Sequence, residues 1–333
     1  MADLRQIVKE VFPKQTILII GDLVADQFLK GTISRVSREA PVFILRHDDT
    51  ETLPGAAANA AANVAALGGN PLSIGAIGSD ASGQSLLAAF RSSGIDASGI
   101  VSDPTVSTTT KVRVLAGQHY AARQQVIRID YENTAPLSDE VKETIRHNLA
   151  LASTSADAII VSDYNCGTVF PELYEDARVI ARDREIPLVV DSRYRLTDFT
   201  GATTATPNRE EVEQILGPDF TDQDCVRLKQ ELGCEALLIT NGNEGMTLFE
   251  MDKAPLRIAV VGPTEPVDVT GAGDTVIAAY ALGLAAGLTF ADAARIANHA
   301  GGLVVMKKRT ATVSAEELLA SINEASLASH QSI

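Results

Sequence analysis

Five short apolar runs, separated by stretches of helical length, constrain this chain more than any other feature. The runs are Thr16–Gly21, Leu72–Ile77, Ala158–Ser162, Leu188–Asp191 and Ala236–Thr240. They are nearly continuous rather than alternating, as expected of strands buried on both faces. Between and after them lie Ala56–Leu67, Gly83–Ser92, Asp139–Leu149, Pro171–Arg184, Asp222–Leu232 and Gly273–Ala286, each long enough for a helix. Strand and helix repeated in this way predict an α/β fold, a mainly parallel sheet covered on both faces. The runs around Gly21, Asp163 and Asp191 each deliver an acidic residue at or just past the carboxyl end. That edge is where open α/β sheets bind ligands.

Residues 28–50 and 105–131 break the pattern. They alternate, as in Lys111-Val-Arg-Val-Leu and Gln125-Val-Ile-Arg-Ile-Asp. They read as antiparallel strands with one polar face, forming a small β lid on a single domain of residues 1–320. Their sheet edges need protection, and a two-fold homodimer is the common solution. The Ser- and Ala-rich residues 321–333 read as a tail. The 45% apolar content is ample for a core. A net charge of −15 repels phosphate backbones and anionic bilayers, so nucleic acid and membrane are not expected partners. Cys166, Cys225 and Cys234 form no C-x-x-C pair, and the five histidines show no metal spacing. The uncharged stretch Leu53–Ser79 is broken by Gly68, Gly69, Asn70 and Pro71, which suits a helix, turn and strand better than a membrane span. With no signal-peptide pattern at the N-terminus, a cytoplasmic location is expected.

The sharpest chemical signal is Asp268-Val-Thr-Gly-Ala-Gly-Asp-Thr275, opening a helix of small residues. Gly271 and Gly273 bare the backbone N–H groups at the helix start, an anion site aided by the helix dipole. Asp274 sits within that site. It could simply cap the helix, or it could accept the proton of an attacking hydroxyl while the amides hold a migrating phosphoryl group. No G-x-x-x-x-G-K-[ST] sequence occurs, so phosphoryl transfer would need a different fold's solution. Asp22 and Asp26 follow the first strand and could accept from sugar hydroxyls or cap a turn. Asn59 lies one turn into an Ala-rich helix, where its amide calls for a partner. Asn208 and Glu211 have the spacing of a capping box. Thr240-Asn-Gly-Asn-Glu-Gly245 could pass phosphates or close a hairpin.

The order of these elements resembles the ribokinase-like carbohydrate kinases of the phosphofructokinase-B type, over nearly the whole chain. The resemblance implies a three-layer sandwich with a β lid, in which Mg-ATP phosphorylates a sugar hydroxyl. By motif match, Asp274 is the base and the amides of Gly271, Ala272, Gly273 and Asp274 form the anion hole. Asp22, Asp26, Gly55, Asn59 and Asp163 fall to the acceptor. Asn208 and Glu211 serve phosphate and Mg²⁺, the metal through water. Thr240, Gly242, Gly245 and Asn298 fall to the nucleotide. Within the family, four segments are similar to the D-glycero-β-D-manno-heptose 7-phosphate kinases: Ser34–Val42, Arg123–Asp130, Val161–Tyr164 and Gly201–Asn208. In that likeness Arg123 grips the acceptor's phosphate and Gln125 its hydroxyls, whereas Arg35 and Arg113 read as solvated. Such kinases stand alone or are fused to a nucleotidyltransferase, and this chain, ending after the kinase, is expected to be the former.

Three departures stand out. Asn165-Cys-Gly167 replaces a usual Gly-Lys-Gly, and Asp191-Ser-Arg193 replaces Asp-Pro-Lys. Arg309 stands where a glycine is usual, beside the loop that holds a monovalent cation in the family. Kinases for another sugar or a nucleoside, and a catalytically silent sugar-binding regulator, remain alternatives at this point.

Overall fold

The computed structural model describes residues 3–118, 123–133 and 135–331. Residues 119–122 of the second lid segment and 332–333 of the expected tail lie outside the described residues. In chain order the strands begin with β1 Thr16–Gly21, β2 Leu23–Val36, β3 Phe43–Ala56, β4 Asn70–Gly78, β5 Ile100–Asp103, β6 Thr110–Gly117 and β7 Gln124–Tyr131. There follow β8 Ala158–Asp163, β9 Leu188–Ser192, β10 Thr204–Ala205, β11 Ala236–Thr240, β12 Met246–Glu250 and β13 Leu256–Ile258.

Nine of these form one sheet in the order β13-β12-β11-β10-β9-β8-β1-β4-β5. Pairing is parallel from β11 through β5, while β12 and β13 add antiparallel at one edge. All five apolar runs are strands of this sheet. Their continuity has a simple cause in β1, which feeds two cores. Ile17 and Ile19 join one cluster with the helices Ala57–Ala66, Ala272–Ala285 and Phe290–Val304. Leu18 and Ile20 join another with Asp139–Ala152, Pro171–Asp183 and Asp222–Leu232. Each such side chain, fully buried, contributes about 1.5–3 kcal/mol. Small residues let the helices of the first face approach closely. A Cβ on Gly283 would lie 2.9 Å from that of Ala293. Thus the Ala/Gly-rich stretch after Thr275 is a helix buried in protein, and among the described residues no helix is long and apolar enough to cross a membrane.

The other four strands form the lid, in the order β3-β2-β6-β7. β2 with β3, and β6 with β7, are antiparallel, but the central β2–β6 pair is parallel. The expectation of a wholly antiparallel lid is corrected there. Two separate hairpins leave the same edge of the main sheet and run outward side by side. The lid is also broader than residues 28–50, since β2 starts at Leu23 and β3 ends at Ala56. Every residue of β7 is exposed, including Val126, Ile127, Ile129 and Tyr131. Arg113 is not the solvated side chain expected. It is buried on β6, paired with Asp26 at 2.5 Å and stacked 5.4 Å over Phe28.

The stretch read as a tail is largely helical, within Ala315–Gln331. Ser314 and Glu317 bond reciprocally at its start, and Leu318 and Ile322 pack into the first core. Apolar residues four apart outweigh the polar composition of this end.

Candidate active site

The helix Ala272–Ala285 begins at Gly271, which takes φ 76° and provides no side-chain cap. Only glycine suits that position, because a Cβ would also stand 2.5 Å from the Asn59 amide nitrogen. Ahead of it, the Asp268 carboxylate accepts the N–H of Thr270 at 3.0 Å and fixes the approach. The Ala272 N–H bonds back to the Val269 carbonyl at 3.2 Å. Gly273 and Asp274 complete the first turn, whose N–H groups have no intrahelical acceptor. A Cβ on Gly273 would meet nothing within 4 Å, so the turn faces open space.

Asp274 does not cap its own helix. Its carboxylate is buried and accepts the Asn59 amide at 2.8 Å and the Tyr164 hydroxyl at 3.0 Å. Burial pushes its pKa up to about 7, which the Asn59 and Tyr164 donors only partly oppose. The Asp26 charge raises it further and Lys111 lowers it. A carboxyl of that pKa is half-ionised at neutral pH, the condition under which a general base works best. Asn59, expected at acceptor hydroxyls, spends its amide nitrogen on Asp274. Its nitrogen serves Asp274 and lies 3.4 Å from the Gly271 carbonyl, while its oxygen accepts from Asn63 at 3.2 Å.

The other acceptor-side residues divide. Asp22, 1% exposed, accepts the N–H groups of Tyr164, Cys166 and Thr168 at 2.8, 3.0 and 3.0 Å. It builds the loop that presents Tyr164 and also lines a small cleft with Leu23, Cys166 and Thr168, so much of its accepting capacity, expected for a sugar, is spent on backbone N–H groups. Asp163 is likewise internal: wholly buried, it accepts from Ser192 at 2.7 Å and pairs with Arg195. Asp26 faces Arg113, and Gly55 lies against it, since a Cβ there would be 2.8 Å from its Oδ2. Arg123 and Gln125 are far from this group within the chain. Lys111 is in register with Asp26, whereas Gln125 pairs with Leu115, nearer the outer end of the lid. Arg123 adjoins that end and is bound to Asp48 at 2.7 Å.

On the other side of the Gly271 turn, two clefts share Thr240, Val269, Ala272 and Gly273. One is mostly apolar and is also lined by Gly242, Gly245, Met246, Val276 and Asn298. The other holds Tyr164, Asp191, Arg193, Asn208 and Glu211. Asn208 and Glu211 do form a capping box, at 2.8 and 2.9 Å, and still line this cleft. Burial raises the pKa of both Asp191 and Glu211, and the Glu211 charge adds to the effect on Asp191. Among the described residues no cluster of three or more His, Cys, Asp or Glu side chains could alone hold a metal.

The sequence names Tyr164 and Arg193 only within segments of likeness or departure and Arg113 only as solvated, none of them as a site residue, and Asp191 chiefly as an acid at the sheet edge. Tyr164 was visible as the residue after a strand-ending Asp, but nothing local shows that Asp22 turns it toward Asp274. The Tyr164 bond to the ionised Asp274 carboxylate has a measurable effect. In Tyr164→Phe the Asp274 pKa should rise by about one unit, the worth of one charge-assisted hydrogen bond. A ¹³C titration of the Asp274 carboxyl should show this, and an unchanged midpoint would deny the contact.

Comparison with known proteins supports the same reading. The pfkB family carbohydrate kinase profile matches residues 14–317. The Bifunctional protein HldE of Gluconobacter oxydans is 40% identical over 308 residues, 91% of this chain and 63% of that protein. Its namesake in Geobacter metallireducens is 40% identical over 311 residues, covering 92% and 62%. The chain thus spans a little under two thirds of the length of these relatives. Arabidopsis thaliana ribokinase, in a structure with ribose and ATP, aligns with TM-score 0.69 at 20% identity, covering 93% of this chain and 98% of its own. Escherichia coli phosphofructokinase-2, with substrates and products, aligns with TM-score 0.74 at 18% identity, covering 94% and 99%. These two likenesses show the ribokinase-like fold. With the profile covering most of its length, the chain belongs to the pfkB family of carbohydrate kinases.

Proposed function

We propose that the chain transfers the terminal phosphoryl group of ATP to the anomeric hydroxyl of D-glycero-β-D-manno-heptose 7-phosphate, giving the 1,7-bisphosphate. The observation that carries this reading is Asp274: a buried carboxyl with pKa about 7 in the glycine-lined first turn of a helix. Asp274 takes the acceptor's proton as the oxygen attacks the phosphorus. The new P–O bond forms, the bond to ADP breaks, and the Gly273 and Asp274 amides stabilise charge on the transferred group, the Ala272 N–H being held by the Val269 carbonyl. Asn59 and Tyr164 hold the carboxylate in place. The apolar cleft with Thr240, Gly242, Gly245 and Asn298 suits an adenine in chemistry, with apolar walls and one amide. Asn208, Glu211 and Arg193 line the adjoining cleft, where the phosphates would pass. Paired carboxyls whose ionisation is disfavoured by burial fit Mg²⁺, which Glu211 would hold through water. That ion would supply charge neutralisation on the phosphates. A monovalent cation is not required by this reading, and Arg309 occupies the position beside its expected loop.

The heptose-phosphate assignment is supported by the four segments quoted from the sequence and by the 40% identity to proteins named HldE. With Arg123 engaged by Asp48, the cation for the acceptor's anionic group is Lys111. It forms no ion pair among the described residues, stands 5.4 Å over the Tyr164 ring, and its charge is felt by Asp26 and Asp274. Assay with ATP against heptose 7-phosphate, fructose 6-phosphate, free heptose, ribose and adenosine tests the reading. We expect the bisphosphate from heptose 7-phosphate, with kcat/KM at least ~10⁴ M⁻¹s⁻¹ and other acceptors about a hundredfold poorer. Preference for an unphosphorylated sugar or nucleoside would place the chain elsewhere in the family. No turnover with any of them would favour a silent sugar-binding regulator.

We also propose a homodimer formed through the lids, supported by the exposed apolar side chains of β7 and by Val36, Val42 and Phe43 at the outer end of β2–β3. Sedimentation at micromolar concentration should give twice the chain mass. A fully active monomer would contradict it.

A further inference from the structure

Arg309 has φ 67°, a left-handed backbone that disfavours any side chain with a Cβ. Its N–H donates to Asp268 Oδ2 at 2.8 Å, and the other oxygen of that carboxylate accepts the Thr270 N–H immediately before Gly271. From this point its guanidinium crosses to the lid. It meets Glu51 on β3 at 2.5 Å and lies 5.5 Å over the ring of Phe28 on β2. Phe28 and Glu51 are cross-strand partners, so one side chain grips both strands at the same level. The Phe28 ring also carries Arg113, the partner of Asp26. A chain of contacts therefore runs from the turn ahead of the anion hole, through Arg309, to the lid residues beside Asp274. A glycine would satisfy the backbone here at lower strain, and only the side chain reaches the lid.

We propose that Arg309 is a positioning residue that latches the lid to the Asp268–Gly271 turn, so that lid closure over the acceptor and the set of the first-turn amides are coupled. The proposal rests on the reading that the lid covers the sugar site. The latch is half-exposed, with side-chain exposures of 34% for Arg309 and 37% for Glu51, so its effect is moderate. Glu51 also binds Lys30 at 2.8 Å, but Lys30 keeps Asp49 at 3.0 Å, and Glu51→Gln leaves that cation paired.

Arg309→Gly separates a latch from a merely structural residue, because it removes the side chain and relieves the left-handed strain together. Thermal stability should be unchanged or higher. Backbone hydrogen exchange in β2 and β3 should accelerate about three- to tenfold, as expected on losing one partly exposed ion pair. The KM for whichever sugar the wild type phosphorylates should rise by a similar factor, with the ATP KM unchanged. Arg309→Lys keeps a cation for Glu51 and should restore part of the loss. Glu51→Gln should accelerate lid exchange as Arg309→Gly does, and the double variant should go no further than either. Unchanged lid exchange in Arg309→Gly, a melting temperature lowered with no selective loosening of the lid, or additive effects in the double variant would each overturn the proposal. The exchange measurement needs no turnover. Its failure is therefore distinct from failure of the sugar-kinase reading, which would show as a wild type inactive on every sugar.

Discussion

A carboxylate buried in the first turn of a helix is costly unless donors surround it, and the arrangement around Asp274 follows from meeting that demand. The main sheet and its helices bring three elements to one point. The helix from Ala57 supplies Asn59, the loop after β8 supplies Tyr164, and the Gly271 turn supplies the backbone. Two hydrogen bonds are enough to hold the group but not to return its pKa to the ordinary range. The outcome is a carboxyl poised near neutrality in a glycine-lined first turn, the arrangement on which the proposed role as base rests.

Three acids help to build that point. Asp22 gathers three backbone N–H groups of the loop that presents Tyr164. Asp163 ties the end of β8 to Ser192 and Arg195. Asp268 holds the turn ahead of the helix and the backbone of Arg309. Asp22 and Asp268 act through the backbone they hold, Asp163 through the side chains of Ser192 and Arg195. The lid completes the site from the other side, with Lys111 and the Asp26–Arg113 pair at its base.

The fold was legible because strands buried on both faces leave continuous apolar runs, and five such runs fell in the main sheet. The Asp268–Thr275 element was legible as a helix start because its glycines bare the backbone N–H groups there, although the acid alone could equally have been a cap. Partners across the chain were not. Asn59 and Asp274 are 215 positions apart and Asp22 and Tyr164 are 142 apart, and nothing local distinguishes an acid that will meet a sugar from one that will meet amides. Arg113 was misread because an Arg on an alternating strand is usually solvated, and its partner Asp26 lies 87 residues away. Arg123 was placed at the site by likeness alone. Register puts it at the outer end of the lid, because β7 runs back toward the sheet.

The central claim is that Asp274 is the base and that burial sets its proton affinity. The dependence of kcat/KM on pH, measured for the wild type and for Asp274→Asn, tests it most directly. Since the raised pKa means the ionised base is lost as pH falls, the wild-type profile should descend with unit slope below about pH 7. Asp274→Asn should be at least ~10²-fold slower at pH 8 and lack that limb, with nucleotide affinity little changed. A wild-type profile flat down to pH 5, or an Asn variant turning over at the wild-type rate, would contradict the account.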